Sequence, residues 1–183
     1  MVQNPEDVDL EPVIPIFHRW IQEGACEELL LDVADYRHVP AGPGVVLIGH
    51  EANYSVDNTS NRLGVRYNRK AVLDGNARDR LEQAVRAAIE ACQRLEDDSQ
   101  LHGSIRFNGR EMEMFINDRL LGPNSDRTRE AVEPEIRALC QRLFRGATYS
   151  LQHGPSDPRQ LFSVSIRTEK SFKPSELLEN LLV

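Results

Sequence analysis

Between Leu29 and Lys70 the chain alternates β-branched and aromatic runs with Pro/Gly and Asn/Ser turns, a pattern that dictates an antiparallel meander. The first run spans 29–39 and the turn Pro40-Ala41-Gly42-Pro43-Gly44 follows it. The second run spans 45–56, and Asp57-Asn58-Thr59-Ser60-Asn61 turns the chain into a third at 63–69.

Strand side chains alternate between faces with a period of two, so a register sorts every residue. Closing the first turn symmetrically sets Val39 against Val45, Tyr36 against Ile48, Ala34 against His50 and Asp32 against Ala52. Closing the second sets Val56 against Leu63, Tyr54 against Val65, Ala52 against Tyr67 and His50 against Arg69. One face then carries an apolar set, Leu30, Val46, Ile48, Ala52, Tyr54, Val56, Leu63, Val65 and Tyr67. The same face also receives Asp32, Tyr36, His38, His50 and Arg69, whereas Asp35, Arg37, Glu51, Asn53, Ser55, Asp57, Arg66, Asn68 and Lys70 face water.

Burying an unpaired charge costs several kcal/mol, so Asp32, His50 and Arg69 must either pair with one another or border a cleft. The first case is a structural ion-pair network. The second is a site in which His50 is the general acid or base, Asp32 orients it and Arg69 holds an anionic group, with Tyr36 and Tyr67 beside them. Arg66 and Lys70, near Arg62, form a local basic run suited to an anionic ligand or an acidic partner surface. A solvated strand face is the more usual explanation of such a run.

The stretch 1–9 reads as a flexible acidic arm and 10–183 as one α+β domain, although the length also admits two small ones. A helix is expected from Glu11, with Val13, Ile14, Ile16, Phe17, Trp20 and Ile21 on its apolar side and Gly24 as its stop. A longer one follows Asp74-Gly75-Asn76, with Leu81, Ala84, Val85, Ala88, Cys92 and Leu95 at helical spacing. Asn108-Gly109 between 104–107 and 110–116 predicts a second hairpin. Ser125 or Asp126 caps a third helix carrying Val132, Ile136, Leu139, Cys140 and Leu143, which Pro134 kinks or begins. A third hairpin pairs Ala147, Tyr149 and Leu151 with Phe162, Val164 and Ile166, and a short helix follows Pro174.

The fold class is therefore α+β: an antiparallel sheet built from successive hairpins with helices mainly on one face. Cys92-Gln93-Arg94-Leu95 recurs as Cys140-Gln141-Arg142-Leu143, which suggests ββα repeats over 45–96, 102–144 and 146–183. Chance similarity between two amphipathic helices accounts for it as well.

A net charge of −7 argues against a general nucleic-acid or anionic-membrane binder. No apolar run approaches the ~20 residues of a membrane span. Met1 to Asp9 lacks a basic and an apolar signal region, and Cys26, Cys92 and Cys140 form no CxxC pair, so free thiols in the cytoplasm are expected. Gly44 to Glu51 has phosphate-loop glycine spacing but His-Glu where Lys-Ser/Thr belongs, and His50-Glu51-Ala52-Asn53-Tyr54 lacks the second zinc-binding His. A metal site from His38, His50 and Asp32 is disfavoured because the register puts His38 far along the strand from His50, and no cofactor is expected.

Two functions follow. The first is a binding or interaction module without its own chemistry, taking a protein partner or a small anionic ligand. The second is a small enzyme built on His50, Asp32 and Arg69. The terminal helix, with Leu177, Leu178, Leu181 and Leu182, should dock on its own domain, or on a second copy as a homodimer contact.

Overall fold

A computed structural model describes residues 1–5 and 8–182. The chain is α+β and divides into two compact units, one of 1–74 with 83–107 and the other of 75–82 with 108–183. Each unit holds its own antiparallel sheet, whereas the hairpin pattern alone points to a single sheet.

Unit 1 begins with α1 (Val13–Glu23). Val13, Ile16, Phe17 and Trp20 recur at helical spacing and are buried, each contributing roughly 1.5–3 kcal/mol by leaving water. Gly24 stops the helix in the left-handed conformation, as expected. The sheet then runs in sequence order through β1 (Leu30–Tyr36), β2 (Gly44–Gly49), β3 (Ala52–Asp57) and β4 (Gly64–Arg69). Its inner face and α1 share one apolar core with Ala87, Ala91 and Leu95 of α2 (Ala77–Asp97). Leu95 is buried as expected, but Ala87 and Ala91 are buried where Ala84 and Ala88 were expected. Asn76 and Asp79 cap α2 reciprocally, each accepting the other's backbone N–H.

The expected second strand is two strands. His50 and Glu51 form a tight turn, tied by His50 N to Leu29 O at 2.8 Å and by Lys70 N to Glu51 O at 2.7 Å. Leu47 therefore pairs with Tyr54 and Val45 with Val56, which puts Val45 and Leu47 inside at 0 % exposure and turns Val46 and Ile48 outward. Inward and outward positions of β2 are inverted relative to a continuous strand. Between β3 and β4 the register differs by two residues, with Tyr54 opposite Tyr67 and Ala52 opposite Arg69. A slip of two preserves faces, so Ala52, Tyr54, Val56, Val65, Tyr67 and Arg69 keep the common inner face expected of them.

In β1 the register moves by four, with Asp32 opposite Ile48 and Tyr36 opposite Gly44. A bulge between Leu30 and Asp32 shifts the phase. Leu30 is buried, whereas Asp32 and Tyr36 fall on the outer face and are exposed. Gly44 opens β2 at φ 63°, and a Cβ there would lie 2.1 Å from Val56 O, so only glycine fits.

Part of the expected acidic arm is pinned. Val2 is 6 % exposed, bridges Phe107 and donates its N–H to Leu63 O, while Gln3 N donates to Arg106 O. Glu6 and Asp7 of that arm lie outside the described residues.

Unit 2 contains β5 (Glu111–Ile116), α3 (Asp126–Leu143), β6 (Tyr149–His153), β7 (Phe162–Thr168) and α4 (Pro174–Leu181), with sheet order β5-β7-β6. The β6–β7 hairpin forms as expected, with Leu151 opposite Ile166. The Asn108-Gly109 hairpin does not. β5 pairs with β7, and Asn108 Oδ1 instead accepts the N–H groups of Arg110 and Glu111 in a side-chain turn. The stretch 102–144 thus lacks the hairpin expected of a ββα unit there. α3 runs through Pro134, starting where Ser125 Oγ accepts Thr128 N–H. α4 docks in its own unit through Leu177 and Leu181, and Asn180 donates to Leu143 O at 2.7 Å.

Candidate functional site

The two inner-face tyrosines organise the site. Opposition of Tyr54 and Tyr67 across β3 and β4 brings their rings within 5.0 Å, edge to face. Buried phenols need hydrogen-bond partners, and the chain just before β1 supplies one. Glu28, 6 % exposed, accepts the Tyr54 hydroxyl on Oε2 at 2.7 Å and the Tyr67 hydroxyl on Oε1 at 2.6 Å. Tyr67 Oη accepts in turn from Gln83 Nε2 of α2 at 2.9 Å and from Arg69 Nη1 at 3.3 Å. Arg69 also stands 4.0 Å from Glu28 and 3.9 Å from Glu51, so the buried carboxylate has a cation beside it.

Burial, with the Glu28 hydrogen bond second, raises the Tyr54 and Tyr67 hydroxyls above the usual phenol range. Burial also raises the Cys26 thiol, offset in part by a hydrogen bond with Tyr54 and reinforced by Glu28. Burial works against the Arg69 cation, but the Tyr67 hydrogen bond and the carboxylates of Glu51 and Glu28 more than restore it.

Above Tyr54 a groove of about 250 Å³ separates α2 from the 25–28 segment. Gln83, Ala87, Ala91 and Arg94 line it from the helix, and Cys26 and Glu28 face them. The gap has a simple origin, because alanine at 87 and 91 leaves unfilled the space a larger core residue would take. Gln83 Oε1 is buried without a partner, which costs about 1–3 kcal/mol.

Of the expected site residues, Arg69 and Tyr67 do come together. His50 is exposed in the β2–β3 turn and Asp32 is exposed on the outer face, where its Oδ1 accepts Val33 N–H. The Asp32, His50 and Arg69 constellation is therefore not assembled. Tyr36, 42 % exposed, stacks on His38 on the outer side. Arg66 faces Asp57 at 3.6 Å and Lys70 Nζ donates to Gly49 O at 2.6 Å, so neither joins Arg69 in an anion cradle. Among the described residues no three His, Cys, Asp or Glu side chains converge to hold a metal ion.

Glu28 and Gln83 escaped sequence reasoning. Their one visible signal is indirect: two tyrosines assigned to an apolar face imply a polar group facing them.

Unit 2 has a second polar cluster, with Glu133 accepting from Arg129 and Arg137 and standing 3.1 Å from His153 Nε2. Comparison with protein-family models, with curated proteins and with solved structures returned no match, so what this chain recognises has to be argued from the geometry of the groove.

Proposed function

We propose that the chain is a binding module without chemistry of its own, and that its recognition site is the groove above Tyr54. One observation carries this. The ionisable groups that do converge, Glu28, Tyr54, Tyr67 and Arg69, hydrogen-bond one another beneath a cavity that stays open.

A general acid or base must reach a substrate, and Glu28, 6 % exposed, accepts from two phenols of this chain instead. The raised tyrosines keep their protons at neutral pH, and the raised Cys26 is a thiol rather than a nucleophilic thiolate. No observation favours an enzyme built on His50. Three free thiols suit the cytoplasm, and no helix among the described residues is long and apolar enough to cross a membrane.

Ala91→Trp fills the groove from the α2 side. In ligand-observed NMR against a library of small polar fragments, wild-type protein should give binders that this variant loses. Binders indifferent to Ala91→Trp, or catalytic turnover of any of them, would sink the proposal.

A further inference from the structure

We propose that β6 is a docking edge for a second copy of this chain, pairing antiparallel with the same strand so that two three-stranded sheets become one. This surface belongs to unit 2, whereas the groove belongs to unit 1.

The backbone bonds fix which groups of β6 are unused. Gly154 N donates to Ser163 O, a pair that continues the β6–β7 register, so Ser150 and Gln152 exchange their backbone bonds with β7. The N–H and C=O groups of Tyr149, Leu151 and His153 therefore point away from β7. Thr168 N donating to Arg110 O gives the same parity from the other side, because it turns Thr168, Ile166 and Val164 toward β5. Among the described residues no hydrogen bond reaches the outward groups of Tyr149, Leu151 and His153.

An open edge is a template for another strand unless it is guarded by charge or a bulge. The two sheets leave β1, β4, β5 and β6 as edges. β1 carries Asp32, Asp35 and its bulge, β4 carries Arg66 and Arg69, and β5 carries Glu111 and Glu113. β6 reads Tyr149-Ser150-Leu151-Gln152-His153, with no Asp, Glu, Lys, Arg or Pro.

Its sequence is also self-complementary. A two-fold axis at Leu151 uses the whole strand, setting Leu151 against Leu151, Tyr149 of one copy against His153 of the other, and Ser150 against Gln152. The outward residues then meet as hydrogen-bonded pairs, and no like charges face each other. α3 lies over the same face, with Glu133 3.1 Å from His153 Nε2 and Arg137 O accepting the Tyr149 hydroxyl at 3.4 Å. Matching Tyr149 with His153 thus brings the half-exposed Arg137 of one copy toward Glu133 of the other, on both sides of the axis. Five residues make a small interface, so the dimer is weak and depends on concentration.

Sedimentation velocity of the whole chain between about 1 and 300 µM should show a reversible monomer–dimer equilibrium. In hydrogen exchange the amides of Tyr149, Leu151 and His153 should gain protection as concentration rises, while those of Ser150 and Gln152, already bonded to β7, change little. Ser150→Glu with Gln152→Glu puts like charges directly opposite each other on an exposed face, and should raise the dissociation constant at least about tenfold. Ser150→Lys with Gln152→Lys should do the same. An equimolar mixture of the two double variants should dimerise again, which also shows that both are folded. A chain that stays monomeric throughout, a dimer that neither double variant weakens, or protection gained only outside β6 overturns the proposal.

Discussion

Tyr54 and Tyr67 face each other across β3 and β4, ring centroids 5.0 Å apart, and each gives its hydroxyl hydrogen to a different oxygen of Glu28. Both donors, with Arg69 beside them, offset the burial of the carboxylate, so its cost and their placement are linked. Tyr54→Phe should cost about 1.5–3 kcal/mol, the worth of a hydrogen bond to a charged group. Tyr54→Phe and Glu28→Gln combined should cost less than their sum, since the second change removes the charge that the first leaves unpaired. Urea unfolding of the four variants of the cycle measures this, and strict additivity would show that the contact carries no coupling.

The same pair sets an alkaline limit. Both hydroxyls have folded-state pKa values raised above the ordinary 10.0. A raised group contributes stability that is fully present below the unfolded pKa and is lost as pH rises through it toward the folded value. Stability should therefore decline above about pH 10, as tyrosines ionise in the unfolded chain first. Tyr54→Phe should flatten that decline. An equal alkaline slope in wild type and variant would place the effect elsewhere.

Glu133 behaves in the opposite sense. Hydrogen bonds from Arg137 and then Arg129 hold its carboxyl down at about 2, against an ordinary 4.5. A depressed carboxylate contributes stability above its unfolded pKa and loses it as pH falls toward the folded value. Unit 2 should therefore weaken between about pH 4.5 and 2, and Glu133→Gln should remove that part of the acid limb. His153 touches the same carboxylate, so the variant should also loosen the end of β6. Hydrogen exchange at residues 151–153 reports it, and unchanged protection there would count against the contact.

The thiols should separate by reactivity. Burial pushes Cys92 and Cys140 up to about 12, leaving about one part in ten thousand as thiolate at pH 8. Cys26 and Cys92 are both half-buried, but the rise at Cys26 is the smaller, so it should label first with a maleimide in the native protein. Groove ligands should slow that labelling because Cys26 lines the groove. Faster reaction at Cys140 than at Cys26 would contradict the packing of α3.

The α+β class and the inner face of β3 and β4 were legible in the sequence because period-two alternation survives a slip of two residues. The first candidate site was not legible, for two local reasons. His50 and Glu51 make a tight turn whose compositional mark is the single Gly49 before it, where a Cβ would lie 2.5 Å from Ala52 O, so the apolar runs on either side read as one strand and β2 is inverted. The bulge at the start of β1 leaves no compositional mark, yet it carries Asp32 to the far face. Glu28 is a different kind of omission: its partners are 26 and 39 residues away, and no local spacing announces such a contact. Arg69 and Tyr67 survived in the site because they depend on parity alone.

The Asn108-Gly109 junction supplies the sharpest test of backbone. The dipeptide is a strong hairpin signal, but here its Asn caps the entry to β5 and its Gly sits at φ 56° under the chain at Phe172. A Cβ at Gly109 would lie 2.0 Å from Phe172 O, a contact with backbone that no side-chain rotation relieves. Ser171 Oγ donates to Asn108 O at 2.7 Å and holds the two segments together. Gly24 has nearly the same conformation, φ 61°, with nothing within 4 Å of its Cβ position. Gly24→Ala should thus cost only the left-handed penalty, about 1–2 kcal/mol. Gly109→Ala adds a clash and should cost more than about 3 kcal/mol, among the large single-residue effects. Urea midpoints of the two variants decide it: equal losses would mean that the 171–173 segment does not press on Gly109 in solution.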